Sequence, residues 1–336
     1  MPADFGPATI ERYEDAVLTP ARFVHTVESV TNRARSLLRR LPGRTPPPGA
    51  THQTRVVGAV YSAGRLVPAS QRDPFPDVAP ADPLSLGRIP KGPEGISGTW
   101  LYGGHWMGQF GHFLLETLSA LWPDPARERV TGLLFHLWPS DEYAIPPLEW
   151  QRWLIDQAGW RVPIRIVAGS TVKVDDLLVP TRAYRLHRGA LPQARAVWDR
   201  IAPEQPADTA VFLSRSRLRG DTRQAPNDAF LDEALAAAGC QVVHPQELTI
   251  QEQVAAVSRA RTLIGVSGSQ LHLSMFARSC SNVIELGDRR LPTLPIFEQI
   301  SIAEARGQQH HFVPLLTDPS GRDIRTTIDR VLALGI

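Results

Sequence analysis

The chain is short of lysine, of cysteine and of long apolar runs, and each shortage narrows what it can be. Of its 36 basic residues only Lys91 and Lys173 are lysines, so almost all of its positive charge is guanidinium. Guanidinium forks match carboxylate and phosphate oxygens two at a time. Two cysteines, Cys240 and Cys280, do not make a disulfide framework, and both lie in apolar contexts, which fits a reducing compartment. No apolar run is long enough to span a bilayer, and the N-terminus lacks the apolar core of a signal peptide. A soluble, cytoplasmic protein is the expectation. The net charge of +2 gives no reason to expect a nucleic-acid partner. Three motifs are also absent. Without Gly-Lys-Ser/Thr a P-loop phosphotransferase is excluded, and without Gly-x-Ser-x-Gly there is no nucleophile elbow. Without Asp-x-Asp there is no acidic pair of the kind that holds a metal on a diphosphate, so no metal and no cofactor are expected.

The 336 residues suffice for two domains. Residues 1–50 read as an N-terminal arm and linker. Ala21 to Leu41 has a helical pattern ending in Arg33, Arg35, Arg39 and Arg40, either a solvated face or a peripheral contact at the inner membrane. A Pro/Gly-rich linker follows. Residues 51–205 read as an α/β domain of short strands alternating with helices. The segment Ala202 to Asp208 marks a boundary. Residues 206–322 then form a cleaner doubly wound unit, and 323–336 a C-terminal helix. Thr249 and Glu252 have the spacing of a capping box, and Gly239 stands where a helix should end.

The stretch Ile264 to Gly287 reads as strand, small-residue turn, helix, strand. Ser267, Gly268 and Ser269 precede the helix, a setting in which backbone N–H groups approach an anion. Glu285 lies near the exit of the next strand, at the edge where open α/β sheets bind ligands, and its carboxylate could accept the hydroxyls of a ribose. His272 could contact the base or sugar of a nucleotide. After the strand Ala210 to Leu213 come Arg215, Arg217, Arg219 and Arg223, which suit a diphosphate. In the other half, His112 and Glu116 are four apart on one helix face, and either could serve as a general base. His105 is a lesser candidate.

Together these segments resemble glycosyltransferase family 61, which includes plant xylan-decorating enzymes, animal O-GlcNAc transferases and bacterial capsule or lipopolysaccharide proteins. Gly111 to Trp122 resembles the family's His-x-x-x-Glu helix, and Phe212 to Arg217 its Ser-Arg motif. Arg223 with Asn227-Asp228 resembles its Arg-x-x-x-Asn-Glu pattern, with Asp for Glu. Leu248 to Ala277 resembles its most recognisable block. Ser267-Gly268-Ser269 stands where relatives often have His-Gly-Ala/Ser, and Leu271-His272 looks like bacterial members. The resemblance implies a GT-B-like fold, two Rossmann-like doubly wound domains facing across a cleft, with the last helix crossing back to the first domain. It implies an inverting, metal-independent transfer from a nucleotide-sugar donor, UDP-linked, to a glycan or lipid-linked glycan acceptor in surface-polysaccharide biosynthesis. His112 or Glu116 would be the base, Arg215 and the Ser267–Ser269 backbone would hold the diphosphate, and Glu285 the ribose. The alternative is a catalytically silent nucleotide-sugar-binding or scaffold protein. A sugar-nucleotide epimerase of similar fold is a third reading.

Overall fold

The computed structural model describes residues 7–25, 54–57, 59–72, 78–80, 92–218, 228–288, 291–315 and 322–334. In chain order the first strands are β1 (Ile10–Leu18), β2 (Arg22–His25), β3 (Thr54–Val57), β4 (Val60–Ser62), β5 (Arg65–Leu66), β6 (Val78–Pro80) and β7 (Glu94–Trp106). There follow β8 (Gly132–Leu137), β9 (Ile164–Val167), β10 (Val172–Pro180), β11 (Tyr184–Arg185) and β12 (Gly189–Ala190). The last are β13 (Thr209–Leu213), β14 (Gln241–Val243), β15 (Ala260–Val266), β16 (Asn282–Leu286) and β17 (Gln309–Val313).

Two large sheets organise the chain. The first has the order β5-β4-β1-β10-β7-β8-β9. Its β10-β7-β8-β9 part is parallel, and β1 and β4 are antiparallel. The second, β14-β13-β15-β16-β17, is parallel throughout. Alternation along the strands sorts the core into layers. Val211 and Leu213 of β13, Leu263 of β15 and Val283 of β16 face a central cluster that also takes Leu101, Leu133, Phe135 and Leu178 from the first sheet. Phe212, Ile264, Ile284 and Leu286 face the opposite side of the second sheet, and Trp100, Tyr102, Leu134, Leu177 and Val179 the opposite side of the first. One continuous apolar layer therefore joins the two sheets, anchored by the wholly buried Trp106, Trp160 and Trp198. Burying each such side chain stabilises the fold by roughly 1.5–3 kcal/mol, so the halves are fused along this layer.

Three expectations need correcting. The first half is a mixed sheet, not a doubly wound parallel one, because β1 closes it antiparallel to β10 from Ile10↔Pro180 to Leu18↔Val172. Its sequence, IERYEDAVL, has no clean period of two, and Arg12 reaches Asp176 across the pair at 2.7 Å instead. Second, the amphipathic helix expected from Ala21 begins instead as β2, paired with β3; the rest of that helix and the linker lie outside the described residues. Third, the Arg322–Leu332 helix does not turn back to the first half. Its Ile324, Ile328 and Val331 are buried with Leu231, Leu235 and Val313 on the outer side of the second sheet.

The strand order places the site. In the first sheet β7, β8 and β9 step outward, then β10 returns to the other side of β7. In the second, β14 lies on one side of β13 and β15 on the other. Connections that leave neighbouring parallel strands in opposite directions open a crevice at their C-terminal ends. The exits of β7 and β10 lead to His112 and Arg182; those of β13 and β15 lead to Arg215 and Ser267.

Candidate active site

The chain leaves β7 at Trp106 and enters a helical stretch made of three short pieces: Phe110–His112 as α-helix, Phe113–Thr117 as a π-helical turn and Leu118–Leu121 as 3₁₀. Wider turns of this kind occur often at functional sites. Phe113 fixes the stretch, with its ring edge-on to Trp106 and Trp150 at centroid distances of 5.4 and 4.9 Å. Thr117 ties it back to β7, donating to the His105 carbonyl at 2.7 Å.

On this stretch His112 and Glu116 meet as their spacing predicts, Nδ1 to Oε1 at 2.7 Å. The His112 side chain is 34% exposed and that of Glu116 4%. A third residue, which the sequence did not single out, completes the group. Arg72 donates through Nε and Nη2 to the two oxygens of Glu116 at 2.6 and 2.7 Å, and its guanidinium carbon lies 4.6 Å from the centre of the Trp138 ring. Burial pushes the Glu116 pKa up, but the Arg72 hydrogen bonds and charge, with help from His112, outweigh it and bring it down to about 2. No spacing rule links residue 72 to residue 116; only the fold brings them together.

His105 is buried and is bonded to Arg182. Its Nδ1 lies 3.0 Å from Arg182 Nη2, and since arginine only donates, Nδ1 is the acceptor. Burial first, and then the charge of Arg182, hold its pKa well below the usual histidine value. His136, bonded through Nδ1 to the Tyr102 hydroxyl at 2.7 Å, is lowered to about 4, mainly by burial.

From the second sheet come Arg215 and the small-residue turn. Arg215 is buried two residues past β13. Gly268 has φ +133°, and a Cβ there would overlap the Arg215 guanidinium. Glycine is therefore required twice, by the backbone angle and by the cation lying against it. Ser267 does not offer its backbone to a ligand: its N–H donates to the Leu286 carbonyl at 2.7 Å, and its hydroxyl donates to Glu285 at 2.6 Å. The following Leu271–Phe276 segment is a buried six-residue 3₁₀ helix rather than an α-helix, too short for a macrodipole to select an anion. His272 is buried with Nδ1 at 3.2 Å from Gln299 Oε1. Its pKa is lowered to about 4 by burial above all, with the charges of His112 and Arg215 adding to it.

Glu285 is fully buried and faces inward. It accepts from Ser267, from the Ile296 N–H at 3.2 Å, and pairs with His310 Nε2 at 2.9 Å. The carboxylate expected to hold a ribose is thus enclosed, because its strand alternates toward the core that joins the sheets. Arg217 is drawn to the surface by Glu247, at 2.8 Å, with its side chain 58% exposed. Arg223 and Arg219 lie outside the described residues.

The two half-sites touch. A Cβ on Gly111 would come 2.8 Å from Ser269 Cβ and 3.5 Å from His272 Cδ2. Gly111, next to His112, therefore packs on the turn that carries Gly268, and Gly268 in turn lies against the Arg215 guanidinium. Among the described residues no group of three or more His, Cys, Asp or Glu side chains is placed to hold a metal ion.

A part-exposed imidazole oriented by a carboxylate, with a buried guanidinium across a narrow seam, can accept a proton on one side and balance a leaving anion on the other. No curated protein matches the chain. The family model described as Glycosyltransferase 61 matches residues 110–284, from the first turn of the His112 stretch to the middle of β16. That match covers more than half of the sequence and both halves of this site, and the chain belongs to glycosyltransferase family 61.

Proposed function

We propose that the protein is an inverting, metal-independent glycosyltransferase. It moves a sugar from a UDP-linked donor to a hydroxyl of a glycan or lipid-linked glycan in surface-polysaccharide biosynthesis. The observation that carries this reading is the packing of Gly111, the neighbour of His112 in the His112–Glu116 pair, against Ser269 and His272 across the seam between the sheets. His112 Nδ1–H donates to Glu116, leaving Nε2 to take the acceptor hydroxyl's proton as that oxygen bonds to the sugar's anomeric carbon. The bond from that carbon to the diphosphate breaks, and its electron pair leaves with the diphosphate. Arg215 supplies positive charge where that anion develops. A GT-B-like description is supported by two sheets whose parallel strands end on the same site. The bacterial and polysaccharide parts of the reading rest on the Leu271-His272 pair and on the family resemblance. No helix among the described residues is long and apolar enough to cross a membrane.

The first test is thermal unfolding with UDP, GDP, CMP and their common sugars, with and without EDTA. A ligand at 100 times its Kd adds about 2.7 kcal/mol. A shift with uridine nucleotides that survives EDTA is expected, followed by transfer with inverted anomeric configuration by NMR. A shift lost with EDTA overturns the metal-free mechanism. Binding without transfer to any glycan acceptor would favour the silent donor-binding reading.

A further inference from the structure

Arg72 lies outside the matched residues 110–284, yet it bridges both oxygens of Glu116, at 2.6 and 2.7 Å. Its position is fixed from several sides. Ser70, two residues earlier, is fully buried; its hydroxyl donates to the Val67 carbonyl at 2.6 Å and accepts from the Val60 N–H at 3.2 Å. The Tyr102 hydroxyl donates to the Ser70 carbonyl at 3.2 Å, and Arg182 donates to the Ser70 and Gln71 carbonyls at 3.3 and 3.1 Å. Tyr102 of β7 and Arg182 just past β10 thus clamp the backbone that delivers Arg72. Trp138, just past β8, covers its guanidinium, and the Arg72 side chain is only 10% exposed.

This arrangement matters because of what a buried carboxylate does to a neighbouring imidazole. Left alone, a desolvated Glu116 would either take up a proton or hold one firmly on His112 as an ion pair. In neither state is His112 a good proton acceptor. With both oxygens bridged by a guanidinium, the carboxylate stays ionised and its charge is already balanced. It can then accept the Nδ1 proton of His112, at 2.7 Å, and orient the ring without the full pull of an unpaired anion.

We propose that Arg72 is a positioning residue that sets the tautomer and proton affinity of His112, making Nε2 the free nitrogen. The proposal rests on the reading of His112 as the base and adds the device that keeps it competent. Among the described residues, the other titratable groups in electrostatic reach are Tyr184 near Glu116, His105 near Arg72 and His272 near His112. Burial keeps Tyr184 well above, and His105 and His272 well below, their ordinary values. All three are neutral at pH 7, and among the described residues Arg182 acts on His105 and Arg215 on His272 as further cations of this corner. Removing Arg72 therefore leaves Glu116 and His112 to settle the proton between them.

The test is nitrogen NMR of the full chain labelled at histidine, with the His112 signal assigned by its loss in His112→Asn. The wild type should show a neutral ring protonated at Nδ1 near pH 8. In Arg72→Met the His112 titration midpoint should move up by about one pH unit, and the acid limb of any transfer activity should move with it. Arg72→Lys keeps a cation but cannot bridge both oxygens, and should give a smaller displacement in the same direction. If Arg72→Met does not fold by circular dichroism, Arg72→Lys becomes the deciding variant. An unchanged tautomer and midpoint in the folded variant overturns the proposal. Transfer measured in His112→Asn separates the two ideas. Transfer that persists there sinks the base reading alone. Transfer abolished there, with the His112 signal indifferent to Arg72, sinks only the role of Arg72.

Discussion

Glu116 and Glu285 are both buried carboxylates bonded to a histidine, one in each half of the molecule, and they are held in opposite ways. Glu116 is bridged by a guanidinium, and its histidine, His112, is about one-third open to solvent. Glu285 is held by a hydroxyl, a backbone N–H and His310, which is itself mostly covered. The first arrangement passes orientation from a rigid interior to a reachable ring. The second ends on itself: it fixes the Ser267 turn to β16 and β17. A buried carboxylate near a strand exit can thus serve either chemistry or architecture, and what its partners face decides which.

Several experiments would sharpen or break that contrast. His112→Asn should lower transfer by about 10²–10⁴-fold while leaving the unfolding temperature near that of the wild type, since the ring is part-exposed. A stability loss as large as the activity loss would place His112 with the structural set. Glu285→Ala should do the reverse and cost about 3 kcal/mol of stability, read from denaturant unfolding. If Glu285→Gln instead folds as the wild type does but loses nucleotide affinity, the ribose role returns and the contrast fails.

Acid should separate the two kinds of buried group. His136 and His272 stay neutral in the folded protein down to about 4, against 6.5 for a free ring. Between these values the unfolded chain binds protons that the folded chain does not, so stability must fall as pH drops from 6.5 to 4, by on the order of 2 kcal/mol for each ring. Glu116 acts in a different window. Its folded value is depressed to about 2, so its contribution is present above the ordinary carboxylate range and is lost as pH falls through about 2. His272→Gln should flatten the slope of the unfolding temperature between pH 6.5 and 4; a slope that does not change would mean the burial of His272 is not what makes the fold acid-sensitive.

On the donor side, Gly268→Ala should displace Arg215 and weaken nucleotide binding about tenfold, the worth of one charge-assisted hydrogen bond, by calorimetry. Equal affinity would show that Arg215 does not face the donor. The smallest effect belongs to Thr249→Ala, which removes an exposed helix cap. It should lower the unfolding temperature by about 2 °C and leave binding alone.

Much of this was legible in the chain. The strands β8, β9, β13, β15 and β16 are compact apolar runs, and the capping box at Thr249 and the positive φ of Gly239 are local signals that no distant contact has to supply. His112 and Glu116 were readable because four residues is one helical turn. β1 was not legible, since its outward half is charged and its pairing with β10 depends on a partner more than 150 residues away. The place of the helical segment after Ser269 was legible but its type was not, because its apolar residues suit any buried helix; it is six residues of 3₁₀.

The sequence by itself determined the alternation of strands and helices, the His112–Glu116 pair, the glycine at 268 and the arginine-rich character that suits an anionic donor. Local periodicity and side-chain chemistry are enough for these. Only the tertiary structure decided that Arg72 bridges Glu116, that Glu285 turns inward, that Arg217 leaves the site for Glu247, and that Gly111 meets Ser269. Each of these joins residues far apart in the chain or turns a side chain to one face of a sheet. Such choices are fixed by the burial of two sheets against one shared core, not by any neighbour in sequence.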